Sequence, residues 1–299
     1  MHPAPSLILF TVFSGLGFGL LAWLGLGLGL GAPAPTGWAA FWWFGLGYAL
    51  AGGGLMASAA HLGHPERMLL AFTQWRSSWL SREAVLAVAA LLVMAPHAAG
   101  SVFLDAPIPA LGVLGSALAL ATVAATSMIY AQLRTVPRWN HWSVPVLFVI
   151  ASVAGGALLA GQGLAAGLLM PLLALALVVH WQAGDGRFRA AGSDAGTATG
   201  LGGLGRVRLL EPPHTGGNYL LREMVHVVGR RHALKLRLIA LGAAAVVPGV
   251  LMLIAPFSAP VVALAAVLHL GGMLAARWLF FAEAEHMVGL YYGRGATTP

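Results

Sequence analysis

Eight apolar stretches run through this chain of 299 residues, and the basic residues between them fall only in alternate connections. The stretches are Ser6–Leu30, Trp38–Ala60, Ala84–Phe103, Ala110–Tyr130, Val144–Ala160, Leu164–Val179, Leu238–Ile254 and Val261–Phe281. Arg67, Arg76 and Arg82 lie between the second and third, and Arg134 and Arg138 between the fourth and fifth. The sixth connection holds Arg187, Arg189, Arg206, Arg208, Arg222, Arg230, Arg231, Lys235 and Arg237, and the tail holds Arg294. The connections after the first, third, fifth and seventh stretches carry neither Lys nor Arg. Basic residues close to membrane-crossing helices stay on the cytoplasmic face. With the long sixth connection set aside, the count is still six against zero. A hydrocarbon core of about 30 Å needs roughly 17–25 helical residues to cross. The pattern predicts an all-α, polytopic membrane protein with eight transmembrane helices and both N- and C-termini cytoplasmic.

Composition agrees: 59% of residues are hydrophobic and 8% charged, against roughly 25% charged in a soluble domain. The net charge of +7 lines one membrane face rather than a groove with interleaved aromatics. It points to anionic lipid or a docked protein, not to nucleic acid. Residues 1–5 carry no basic residue, and Ser6–Leu30 is too long for a cleaved signal core, so it is expected to stay as the first span. The absence of cysteine excludes disulfides and cysteine-ligated iron–sulfur clusters from this chain.

The chain reads as one membrane-anchor domain, 1–299, with 181–237 as a long cytoplasmic connection. Within it, the Gly/Ala/Ser-rich segment Ala190–Gly205 is expected to be flexible. Asn218–Arg237 sets Leu220, Met224, Val227 and Val228 against Arg222, His226 and Arg230, the pattern of a basic amphipathic helix on lipid or under a partner. In the first stretch, glycines at Gly15, Gly17, Gly19, Gly25, Gly27, Gly29 and Gly31 are spaced to let neighbouring helices approach closely. Pro96, Pro145, Pro171 and Pro248 mark kinks or first turns.

Ionisable residues in or beside a span are costly and are functional candidates by default. The densest group is His61-Leu62-Gly63-His64-Pro65-Glu66-Arg67 with Ser81-Arg82-Glu83. His61 ends one span and Glu83 begins the next, at similar depth. An imidazole and a carboxylate there suit a quinol headgroup, which needs a hydrogen-bond partner and a proton carrier. On spacing alone, a helix cap with interfacial salt bridges is an equal reading. Tyr130, Arg134, Trp139, His141 and Trp142 form a second group, in which interface anchoring is favoured. In a third, Arg277 is placed to snorkel, with Glu283 sharing its charge and Glu285 and His286 nearby; this group reads as mainly structural, with a role in a proton path as its functional alternative. His97 and His269 stand alone within spans and are expected to bond neighbouring helices. His61, His141 and His180 lie near one face, but no spacing selects a pair, so neither haem b nor a protein-bound metal is expected.

Ser58-Ala59-Ala60-His61-Leu62-Gly63-His64-Pro65, followed by Leu80-Ser81-Arg82-Glu83, resembles the dimethyl sulfoxide reductase anchor-subunit family across nearly the whole chain. The resemblance implies eight spans in a bacterial inner membrane and exchange of electrons with quinone (ubiquinone or menaquinone). It also implies a molybdopterin catalytic subunit and a ferredoxin-like iron–sulfur subunit as partners. It makes His61 and Glu83 the reactive pair, with His64, Arg67 and Tyr130 as further quinone contacts. Met128-Ile129-Tyr130-Ala131, Pro137-Arg138-Trp139-Asn140-His141 and Arg277-Trp278-Leu279-Phe280-Phe281-Ala282-Glu283-Ala284 look most like the branch of that family serving quinone-linked, cytoplasmic sulfite oxidation. The expected function is an anchor passing electrons from sulfite oxidation to quinone, with no molybdenum centre in this chain. The reverse flow, from quinol to a sulfoxide-type acceptor, is the rival within the family. A secondary transporter is the rival from another class, but its mid-membrane site between inverted repeats has no counterpart here.

Overall fold

The computed structural model describes residues 2–27, 35–59, 64–211, 224 and 232–292. The described residues are all helix and connection: α1 (Pro5–Leu26), α2 (Gly37–Ala59), α3 (Trp79–Phe103), α4 (Pro109–Ala131), α5 (Ser143–Leu159), α6 (Gly163–Gly184), α7 (Arg187–Ala190), α8 (Ala195–Thr199), α9 (Ala233–Leu241), α10 (Val247–Ile254) and α11 (Ala259–Ala282). Among the described residues, six helical stretches are long and apolar enough to cross a membrane: α1, α3, α4, α6, the continuous Ala233–Ile254 unit of α9 and α10, and α11. The other two expected spans are present as helices, α2 with 23 residues and α5 with 17. The amphipathic helix expected over Asn218–Arg237 lies outside the described residues except for Met224 and His232 onward, and Ala233–Arg237 form the first turns of α9.

α1 is the common wall of two helical groups. It packs on α2 and α4 on one side and on α5 and α11 on the other, and 14 of its 22 residues are buried, against 5 of 23 in α2. Glycine makes these approaches possible. A Cβ on Gly17 would stand 2.2 Å from the backbone nitrogen of Ala51, and one on Gly19 2.0 Å from the carbonyl oxygen of Ser152. Gly156 faces Gly19 from α5, so backbone meets backbone there. Polar ties follow the same contacts: Trp23 Nε1 donates to the Val153 carbonyl (2.9 Å), Ser116 Oγ to that of Ala22 (2.8 Å) and Ser152 Oγ to that of Gly15 (2.6 Å). Gly19→Ala should therefore force α1 from α5. Overpacking of this kind costs typically about 1–3 kcal/mol, to be read as a lower midpoint of thermal unfolding in detergent. An unchanged midpoint would mean that the two helices have room to part.

Pro248 shapes the seventh span. It cannot donate to the carbonyl four residues earlier, and its ring crowds that carbonyl. The helix answers with a π-helical turn over Gly242–Val246. The freed Ala244 carbonyl accepts a hydrogen bond from His269 Nδ1 of α11 at 2.6 Å. Likewise His97 Nδ1 donates to the Ile108 carbonyl, just before α4, at 2.9 Å. Both intramembrane histidines thus bond a neighbouring element, as their isolation in the sequence suggests.

Two expectations change. Ala190–Gly205 is not a plain flexible segment. Asp194 and Thr197 form reciprocal caps on α8 (2.7 and 2.8 Å), and the Tyr291 hydroxyl donates to the Ala198 carbonyl at 2.6 Å. Small residues here make tight capped turns against the segment Met287–Tyr292. Second, Glu283 does not share the charge of Arg277. It accepts from Arg138 (3.2 Å) and Arg237 (2.8 Å), and both arginines also hold Asp185, Arg138 at 2.6 Å and Arg237 through two bonds of 2.7 and 2.8 Å. Two guanidinium forks and two carboxylates close a ring that ties α6, α9, the end of α11 and the connection before α5. The arginines hold the Asp185 carboxyl below its ordinary range, chiefly through the bonds from Arg237.

Candidate functional site

Ser78 caps α3, its side chain taking the Ser81 amide. Arg82 secures the preceding turn by donating to the carbonyls of Trp75 (3.0 Å) and Arg76 (2.7 Å) while lying over the Trp79 ring. This places Glu83 early in the helix with its side chain turned inward, only 4% exposed. Across the α3–α4 contact its Oε1 accepts a hydrogen bond from the Thr126 hydroxyl, which also lies 3.0 Å from the Thr122 carbonyl oxygen. Tyr130 stands one turn beyond Thr126 on the same face of α4.

Tyr130 is buried rather than set at the interface as an anchor. Trp139, Phe148, Phe280 and Phe281 surround it with ring centroids 5.2–5.8 Å away, and Trp139 stacks on Phe280 while its Nε1 donates to the Phe280 carbonyl at 3.0 Å. The sequence groups Tyr130 with Trp139, but the phenylalanines arrive from α5 and α11 and carry no signal of their own. The burial of Trp139 likewise departs from interface anchoring, whereas Trp142 is exposed.

Arg277 of α11 is 3% exposed, with its guanidinium carbon 3.4 Å from the centroid of the Phe148 ring. It does not snorkel. Among the described residues its Nε has no hydrogen-bond partner. Arg277 and Thr126 both line a narrow, half-open cleft between α1, α4, α5 and α11. Thr11, Ser14, Gly15, Ser152 and Met273 complete much of its wall. Glu83 therefore stands behind one wall, and Arg277 forms part of the lining.

Of the remaining candidates, those among the described residues do not line this cleft. His61 lies outside the described residues. His64 is exposed and pairs with Glu66 at 2.9 Å, and Arg67 is exposed in the same short 3-10 segment, Pro65–Phe72. The structure thus brings Glu83 and Tyr130 to one face of α4 and does not place His64 or Arg67 in the cleft wall. Near the aromatic nest, His141 Nδ1 and His180 Nδ1 lie 2.9 and 3.0 Å from the Ser143 hydroxyl, and His180 stacks on Phe280. Partial burial and the Arg187 guanidinium hold the His141 imidazole below its ordinary value. Among the described residues, no group of three or more His, Asp or Glu side chains converges as metal ligands do.

A family profile described as "DMSO reductase anchor subunit (DmsC)" matches residues 1–179. The chain is 32% identical over 328 aligned residues to the C subunit of the sulfite dehydrogenase of Allochromatium vinosum, an alignment covering 98% of this chain and 99% of that protein. No solved structure matches the chain significantly.

Proposed function

The chain belongs to the DMSO reductase anchor-subunit family, and from that premise we propose that it is the quinone-reactive membrane subunit of a sulfite-oxidising complex. As a family member it is a multi-pass membrane anchor of an oxidoreductase. In the proposed complex, a molybdopterin-bearing partner turns sulfite and water into sulfate, two protons and two electrons. A ferredoxin-like partner carries the electrons through its iron–sulfur clusters to the anchor. Quinone takes up the two electrons and two protons at a site served by Glu83 and, from the sequence, His61, with Tyr130 one turn beyond Thr126; His64 and Arg67, exposed and away from the cleft wall, are not assigned to it.

The observation that carries this reading is the placement of Glu83. A buried carboxyl at the start of a membrane helix, bonded to a threonine that lines a cleft, offers a proton to a bound oxygen without exposing it to lipid. The topology proposed with it has eight crossings and cytoplasmic termini. It rests on α2 and α5 being apolar helices in addition to the six stretches long and apolar enough to cross, and on the one-sided placement of basic residues. The basic face and the connection 181–237 then lie together on the cytoplasmic side, where a cytoplasmic pair of partners would dock.

Membranes holding the anchor and both partners should reduce added quinone when given sulfite, and membranes lacking either partner should not. Full sulfite-driven quinone reduction by the anchor alone, or none with all three present, would overturn the assignment.

A further inference from the structure

Five polar side chains line the cleft between α1, α4, α5 and α11, and four of them are already committed. Thr11 donates to the Leu7 carbonyl (2.9 Å), Ser14 to that of Phe10 (2.6 Å) and Ser152 to that of Gly15 (2.6 Å), while the Thr126 hydroxyl is held by Glu83 and the Thr122 carbonyl. The fifth is Arg277. Among the described residues its guanidinium has no carboxylate partner and its Nε no hydrogen-bond partner; it lies over the faces of Phe148 and Phe280, with Tyr130 close enough to interact with its charge. A cation so deeply buried is costly without an anion or strong acceptor, and a ring face offsets only part of that cost. The cleft thus combines a fixed, unmatched positive charge, fully packed surroundings and one open side.

We propose that Arg277 donates to a carbonyl oxygen of the quinone headgroup in this cleft and stabilises the negative charge that oxygen gains on reduction. The inference rests on the quinone reading above and adds a residue that reading does not contain. An arginine fork suits an oxygen whose charge grows during reaction, because the donor is positioned beforehand and stays charged throughout. Arginine keeps its own proton, so the proton that neutralises the oxygen comes from another group. Glu83, touching Thr126 at the wall, is the titratable group placed for it. In sum, two electrons from the partner's iron–sulfur clusters and two protons convert quinone to quinol. The space inside is narrow, so one edge of the ring enters and the remainder lies at the mouth.

Gly15 supplies a test independent of charge. It lines the cleft, and a Cβ added there meets nothing within 4 Å. Gly15→Leu should fill the space while leaving the helices in place. Assembled complexes of the anchor and both partners, carrying Gly15→Leu, Arg277→Gln or Arg277→Lys, are to be assayed with sulfite against decylubiquinone and menadione, with rates normalised to the amount of assembled protein. A photoreactive short-chain quinone would report binding. Arg277→Gln should lower kcat/KM for quinone by about 10- to 100-fold, the loss of one hydrogen bond from a charged group. Arg277→Lys should recover part of it, and Gly15→Leu should raise the quinone KM and suppress labelling. Wild-type kinetics and labelling in Gly15→Leu would place the quinone elsewhere and overturn this inference while leaving the quinone reading intact; that variant decides if Arg277→Gln fails to assemble. Wild-type complex that neither reduces nor binds either quinone would remove both.

Discussion

Glu83→Gln is expected to lower sulfite-driven quinone turnover by about 100-fold or more, the scale of losing a positioned acid–base group. The substitution is well suited to separating chemistry from folding. The amide oxygen of Gln can still accept from Thr126, so the α3–α4 contact keeps its buried hydrogen bond, but the group no longer carries a transferable proton. Thr126→Val makes the complementary change: it removes the donor and leaves Glu83 buried with one partner fewer. Turnover should fall in both variants, with the fall in Glu83→Gln lying in kcat rather than in quinone KM. Retention of wild-type quinone kinetics by assembled Glu83→Gln would return Glu83 to the cap and salt-bridge role that spacing alone leaves open.

The second large effect is expected at the ion ring. Glu283 is buried between Arg138 and Arg237, whose side chains are 12% and 18% exposed. Glu283→Ala leaves two guanidinium groups with only Asp185 between them, and stranding a buried charge typically costs about 3–5 kcal/mol. A much lower thermal midpoint in detergent is the expected outcome; a change within error would mean that water replaces the carboxylate. Asp185 gives the same ring a pH dependence. Its carboxyl is held below the ordinary value, chiefly by Arg237. Its contribution is therefore present above the unfolded value, about 3.9, and is lost as pH falls through the lower folded value. Because Asp185 is half-exposed, solvent screens the pair and the acid-linked loss should be modest. Asp185→Asn should abolish that part of the acid sensitivity.

Much of this architecture is legible in the sequence because lipid imposes a simple rule. A span must satisfy its backbone internally, so an apolar run becomes a helix, and glycines inside it mark where another helix comes close. Glu83 is legible for the same reason, as a carboxylate where carboxylates are costly. Arg277 carries the same signal, but its neighbour along the chain, Glu283, reads as its counter-charge. Helical geometry argues against that pair: six residues are about 240° around an α-helix, so the two side chains leave α11 in different directions. The partners of Glu283 come from residues 138 and 237, which no local spacing connects to it. The aromatic nest around Tyr130 is hidden in the same way, since Phe148, Phe280 and Phe281 each read as ordinary span residues until the helices meet.

The central position of α1 also bears on how the protein is made. α1 enters lipid before α4 or α5 exists, yet its surface is shaped for backbone contact with both. Until those helices arrive, Gly19 and the carbonyls of Gly15 and Ala22 face hydrocarbon rather than Ser152 and Ser116. α1 precedes these partners along the chain and is completed only when they arrive. Biogenesis must carry it as an unfinished surface, and the two halves of the molecule mature together rather than in turn.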